Sequence, residues 1–283
     1  VVGRSEGLAL ASLRMFEAGL FSADPCDRLR ADAARLRQLT ATGLARGFQA
    51  TADNPLGGLA GRVELLVRLG RVIADHATVF AVRDSARPGG LYDCLTAMGE
   101  RISAPDILHA LLLHLGAIWP ARLSLAGIAL GDTWRHRAIR RQDATDGLIP
   151  FHKLSQWLAY SLIEPLQDAG IGVVDVDGLT GLAEYRNGGL FIDAGAVRLR
   201  DPALAQRPHA VDSALVVEWR ALTVALLDAV APLVRQALGV DAKAFPLGCV
   251  LEGGTWAAGR RIARALRRDG SPPIAVVSDG TVF

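Results

Sequence analysis

Three short stretches of this chain place acids, bases and amides where they could act on a bond. In "GLTGLAEYRNGG" (Gly178–Gly189), Glu184, Tyr185 and Arg186 stand side by side, directly before Asn-Gly-Gly. At about 100° per helical residue, Leu179, Leu182 and Ala183 form a packing side, and Glu184 points roughly 140° away from Leu179. Its carboxylate is free to face solvent, the ordinary place for a Glu, or a cleft. In "PFHKLSQWLAY", Lys153, Gln156, Trp157 and Tyr160 share one helical face, and Leu154, Leu158 and Leu162 take the other. An ammonium, an amide and two amphipathic aromatics on one stripe could line a pocket for a hydroxylated ligand. A plain surface stripe is the equal alternative, although it would expose Trp157 at a cost. In "VVEWRALTV", Glu218 falls on a face with Leu222 and Ala225, where a carboxylate needs a partner or a function. Arg220 lies about 200° away around the helix and reads as a structural ion-pair partner.

The elements that must position these residues are mostly helical. Amphipathic spacing predicts helices in "EGLALASLRMFEAGLF", "DRLRADAARLRQL", "GLAGRVELLVRLGRVIADH" and "APDILHALLLHLGAIW". The last is apolar nearly all round and is expected to be central. "PFHKLSQWLAYSLIEPLQDAG" is a helix that Pro165 should end or kink. "DVDGLTGLAEYR" is a helix with Asp175 or Asp177 as N-cap and Asn-Gly-Gly as its stop. "SALVVEWRALTVALLDAVAPLVRQALG" is a long helix kinked at Pro232, and "TWAAGRRIARALRR" is the last one. Only "GGLFIDAGAVRLR" and "PPIAVVS" read as strands. The fold class is therefore mainly α with a small β element. The 283 residues make either one domain or two lobes, about 1–130 and 131–283. The chain opens on Val1 with interior-like sequence, so an upstream part is expected.

Composition narrows the classes. Hydrophobic residues make up 51% and charged residues 21%, which fits a well-buried globular chain. With 31 basic against 29 acidic residues, the net charge of +2 gives no electrostatic case for nucleic acid. "RRIARALRR" reads as a solvated helix face. No run is long enough for a membrane helix. Cys26, Cys94 and Cys249 are scattered and show no metal or disulfide spacing, which points to a reducing, cytoplasmic setting. His109 and His114 are five apart, a poor metal geometry, and read as satisfied core histidines. "LEGGTW" (Leu251–Trp256) is either an ordinary turn or a helix N-terminus offering N–H groups to an anion. No metal and no cofactor is expected, and the residues leave the oligomeric state open.

The order Lys153-x-x-Gln156, then Leu179-Thr180-x-x-Ala183-Glu184-Tyr185-Arg186, then Glu218-x-Arg220-Ala221 is similar to the queuosine-salvage N-glycosylases. Their stretches read K-R-A-Q, L-T-x-F-A-D-Y-R and E-I-R-A. Across the whole chain, "GGLYD", "LGDTWRH", "PFHKLSQWLAYSLIEP", "EYRNGGLFID", "VEWRALTVALLD", "LEGGTWAAGRRIA" and "SDGTVF" resemble the uracil-catabolism protein 4 family. The resemblance implies a helical fold like the helix-hairpin-helix DNA glycosylases, applied to a small ribosyl substrate. It also implies a place in pyrimidine breakdown, where opening the uracil ring leaves a ribosylurea and urea must be cut from ribose. Glu184 stands where the salvage enzymes keep an aspartate and becomes the catalytic carboxylate, with Glu218 as a second acid. Lys153 and Gln156, with Tyr185 and Arg186, become substrate-binding residues, and Asp132, Trp134 and Asp279 join them from family-like stretches. Two departures stand out: the acid is one methylene longer, and V-P-Q after D-Y-R has become Asn187-Gly188-Gly189. The alternative is a non-catalytic protein of the same pathway that binds a nucleoside or sugar phosphate.

Overall fold

The computed structural model describes residues 5–83, 85–97 and 99–277. These fall into two compact units. One comprises the described residues up to Gly99 together with Ala110–Pro120, and the other comprises Glu100–His109 and the described residues from Ala121 onward. Seven helices of nine or more residues carry the described chain: α1 (Ser5–Glu17), α2 (Leu59–Asp75), α3 (Ala104–Leu115), α4 (Lys153–Asp168), α5 (Tyr185–Asp193), α6 (Ala214–Leu238) and α7 (Ala257–Leu266). The strands are short and pair in twos. The fold is mainly α, as the periodicity predicts.

The first unit packs α1 and α2 with two short helices, Ala33–Leu36 and Ala41–Gly47. Asp32 and Thr40 start those two helices as side-chain N-caps, accepting from Arg35 N and Gly43 N. Met15, Leu36, Leu44, Ile73 and Phe80 are buried here. His114 is half-buried and meets His76 and Phe80 edge-on at 6.4 Å. His109, expected in the core, is instead exposed.

In the second unit, strand β1 (Arg101–Ser103) pairs in parallel with β4 (Gly172–Val174). Strand β2 (Thr133–Arg135) pairs antiparallel with β3 (Leu148–Pro150). His209–Ala210 pairs in parallel with Val276–Val277, within the stretch expected as the last strand. One apolar cluster joins Trp134, Phe151, Ala183 and Val217, and another joins Phe191, Leu227, Ala231, Leu247, Val250 and Leu251.

Several expectations about this unit are corrected. Helix α4 continues through Pro165 to Asp168, because a proline in the last turn removes only one backbone bond. Helix α6 carries Pro232 within its length and ends at Gly239, where φ is 67°. Asn187-Gly188-Gly189 is no stop: it lies inside α5, and the predicted strand starting there is helical as far as Asp193. Those glycines permit close packing, since a Cβ on Gly188 would lie 2.7 Å from both Trp219 Nε1 and Thr223 Oγ1. "LEGGTW" is neither a turn nor a helix start, because Val250–Trp256 is a π-helical segment that runs straight into α7.

Candidate active site

The site builds up around Asp132, just before β2. Its backbone oxygen accepts from Phe151 N at 2.9 Å and His152 N at 3.3 Å, which draws the entry to α4 toward it. Its carboxylate accepts four N–H groups: Arg220 Nη1 and Nη2 at 2.7 Å each, Trp134 Nε1 at 2.6 Å and the backbone N of Lys153 at 3.0 Å. Asp132 thus caps α4 from outside that helix. His152, immediately before, sits at φ 46°, a region non-glycine residues rarely occupy. Burial holds the His152 imidazole pKa below its usual value, against the opposing charge of Asp132.

Arg220 is 1% exposed. Besides gripping Asp132, its Nε donates to the Ala183 carbonyl at 3.1 Å, and its guanidinium lies 4.2 Å over the Phe151 ring. That carbonyl belongs to the residue before Glu184. One arginine therefore ties the start of α4, the approach to α5 and the second turn of α6 into one arrangement.

Glu184 is the N-cap of α5 rather than a residue on a helix face. Oε2 accepts from Arg186 N and Oε1 from Asn187 N, both at 2.6 Å. The carboxylate is 5% exposed, and burial raises its pKa. The two backbone donors and the charges of Lys153 and Arg186 oppose that rise. Lys153 opens α4, is 7% exposed, and feels the charge of Glu184. Burial and then the nearby Arg220 bring its ammonium pKa down to about 8, with Glu184 and Asp132 resisting. The result is a fixed carboxylate and a buried ammonium on adjoining helix starts.

The other sequence-predicted residues divide. Gln156 is buried one turn along α4, and its Oε1 accepts from Thr180 N at 3.2 Å. Tyr160 follows on the same stripe; its hydroxyl donates to the Thr180 carbonyl at 3.1 Å, and burial raises its pKa. Trp157 departs from that stripe and is 44% exposed. Trp134 is buried and Asp132 half-buried, and they serve as supports bonded to each other. Arg186 donates to the Gly270 carbonyl at 2.7 Å and stacks over Tyr185 at 4.9 Å. Asp279 lies outside the described residues.

Glu218 is not brought to this set. Its side chain is 59% exposed and approaches His136 at 4.0 Å. The apolar face that made it look anomalous is itself partly open, since Leu222 one turn on is also exposed. Sequence reasoning missed Asn187, taken as helix punctuation, and Phe151, an aromatic with no polar signal.

A mainly α chain whose second unit buries a capped carboxylate beside an ammonium has the makings of a proton-transfer site. The chain belongs to the family described as "Protein of unknown function (DUF1688)", which it matches over residues 1–283. It is 40% identical to Protein urg3 of Schizosaccharomyces pombe over an aligned 287 residues, covering 99% of this chain and 68% of that protein. It is 38% identical to Uracil catabolism protein 4 of Lachancea kluyveri over 309 aligned residues, covering 99% and 69% respectively.

Proposed function

We propose that this protein acts in uracil breakdown as an N-ribohydrolase, cutting ribosylurea or its 5′-phosphate into urea and ribose or ribose phosphate. The name of the Lachancea kluyveri relative, Uracil catabolism protein 4, supports the pathway. The observation that carries the chemistry is the burial of Glu184 and Lys153 within reach of each other's charge. A helix-hairpin-helix glycosylase-like arrangement of the second unit is part of the same reading, in keeping with its helical content.

Breaking an N-ribosidic bond builds positive charge on C1′ and negative charge on the departing nitrogen. In the proposed step the C1′–N bond breaks with its electron pair going to nitrogen, and the Lys153 ammonium supplies that nitrogen with a proton. A water oxygen bonds C1′ from the other side, and its proton goes to Glu184. Return of that proton from Glu184 to Lys153 resets the site. The urea anion is too basic to leave unprotonated, so a buried ammonium whose pKa is brought down to about 8 is a suitable proton donor. Glu184 stabilises the cationic ring and orients the water. In this reading Gln156, buried one turn along α4, contacts ribose.

The test is urea release from synthetic ribosylurea and from its 5′-phosphate. Turnover of one or both by the wild-type protein, lost in Glu184→Gln, is the expected result. Calorimetric binding of ribosylurea without turnover would make the protein a binding module. Neither binding nor turnover of the two compounds would end the assignment.

A further inference from the structure

Asn187 stands in the first turn of α5, and its backbone N–H donates to Glu184 Oε1 at 2.6 Å. The residue is 1% exposed, and its Oδ1 is a buried acceptor with no hydrogen-bond partner. Buried acceptors are nearly always satisfied, and leaving one orphaned is costly. Asparagine is also a weak helix former, so local propensity does not explain it. The next residue, Gly188, lies tight against Trp219 and Thr223, which fixes the backbone carrying the amide.

The other side-chain oxygens of the candidate site are already engaged. Both Asp132 oxygens take two N–H groups each, both Glu184 oxygens take backbone N–H groups, and Gln156 Oε1 takes that of Thr180. The donors here, by contrast, include a buried ammonium and a guanidinium. A ligand part rich in N–H groups, such as a carbamoyl amide, would find Asn187 Oδ1 as the unoccupied acceptor among these oxygens. That acceptor lies in the helical turn capped by Glu184, the proposed base.

We infer that Asn187 selects the leaving group: its Oδ1 accepts an N–H of the carbamoyl nitrogen that is expelled. The inference rests on the N-ribohydrolase reading above. The ligand's donor satisfies an oxygen that is otherwise orphaned, so binding is strongest for groups that carry that donor.

Asn187→Leu keeps the size and removes the acceptor. The expected result is a fall in kcat/KM for ribosylurea of roughly 10- to 100-fold. Melting temperature should hold or rise, because the orphaned oxygen is gone. The inhibition constant for free urea should rise while that for ribose stays within twofold. Loss of activity with a lowered melting temperature and both constants shifted alike overturns the inference in favour of a structural role. An unchanged kcat/KM also overturns it. If the leucine variant does not fold, Asn187→Ala is judged by the same criteria. A wild-type protein that releases no urea removes the underlying reading and the inference with it, whereas an active wild type with an indifferent variant removes the inference alone.

Discussion

Arg220 holds Asp132 through both terminal nitrogens at 2.7 Å, across 88 residues of sequence. The pair is buried on the arginine side, so removing the acid leaves a cation with no compensating charge. Asp132→Ala is expected to cost roughly 3–5 kcal/mol in guanidinium unfolding. The double variant Asp132→Ala/Arg220→Met should recover a substantial part of that loss. Single variants that each cost under about 1 kcal/mol would show that the pair is not what organises the site.

Lys153 gives stability and activity opposite pH dependences. Its folded pKa of about 8 lies below the ordinary 10.5, so the unfolded chain binds its proton more tightly. The burial penalty is therefore fully present below pH 8 and is relieved as pH rises from about 8 to 10.5. Relative to Lys153→Met, wild-type stability should climb by about 3 kcal/mol over that window. If the ammonium donates to the leaving nitrogen, kcat/KM falls through the same lower limit near 8. A flat activity profile from pH 7 to pH 9, roughly the span around that value, would exclude Lys153 as the donor.

Glu184 serves as both cap and proposed base, and substitutions separate the roles. Glu184→Gln loses the charge and one acceptor. It should lower urea release by roughly 10²–10⁴-fold. Its stability cost should stay near 1 kcal/mol, the usual worth of an N-cap. Glu184→Asp keeps the cap chemistry on a shorter arm, so it should fold like wild type yet turn over slowly. Equal activity in all three proteins would take Glu184 out of the mechanism.

Glu218 provides the contrast. With its side chain 59% exposed, Glu218→Gln should change stability by less than about 0.5 kcal/mol. Its kcat and KM should remain within twofold of wild type. A large loss of kcat would mean that this helix face closes over substrate.

Gly188 tests how closely α5 must approach α6. An added methyl would meet Thr223 Oγ1 and Trp219 Nε1 at 2.7 Å. Gly188→Ala should cost roughly 1–3 kcal/mol through overpacking and shift the cap that holds Glu184. A melting curve like that of wild type would show that the two helices yield there.

The helices around the site were legible because hydrophobic spacing is a local property. Lys153, Gln156 and Tyr160 stood out on one stripe because residues three and four apart share a helical face. The burial of Lys153 and Gln156 was not legible, and neither was the exposure of Trp157, because a stripe does not say which side is covered. Asn-Gly-Gly misled for a similar reason. Glycine marks stops in isolated helices, but here it sits inside α5 because Trp219 and Thr223 come close.

Residue types and their spacing suffice for the mainly helical class, the family membership and the closeness of Glu184 to Asn187 along the chain. Tertiary structure alone decided that Asp132 caps α4, that Arg220 locks Asp132 to the Ala183 carbonyl, and that Glu218 stays outside. Each of those outcomes depends on contacts across 21 to 88 residues. Periodicity fixes which way a side chain leaves its own helix, but only packing of distant segments fixes what it meets there, and whether its charge is left in water or buried beside a partner.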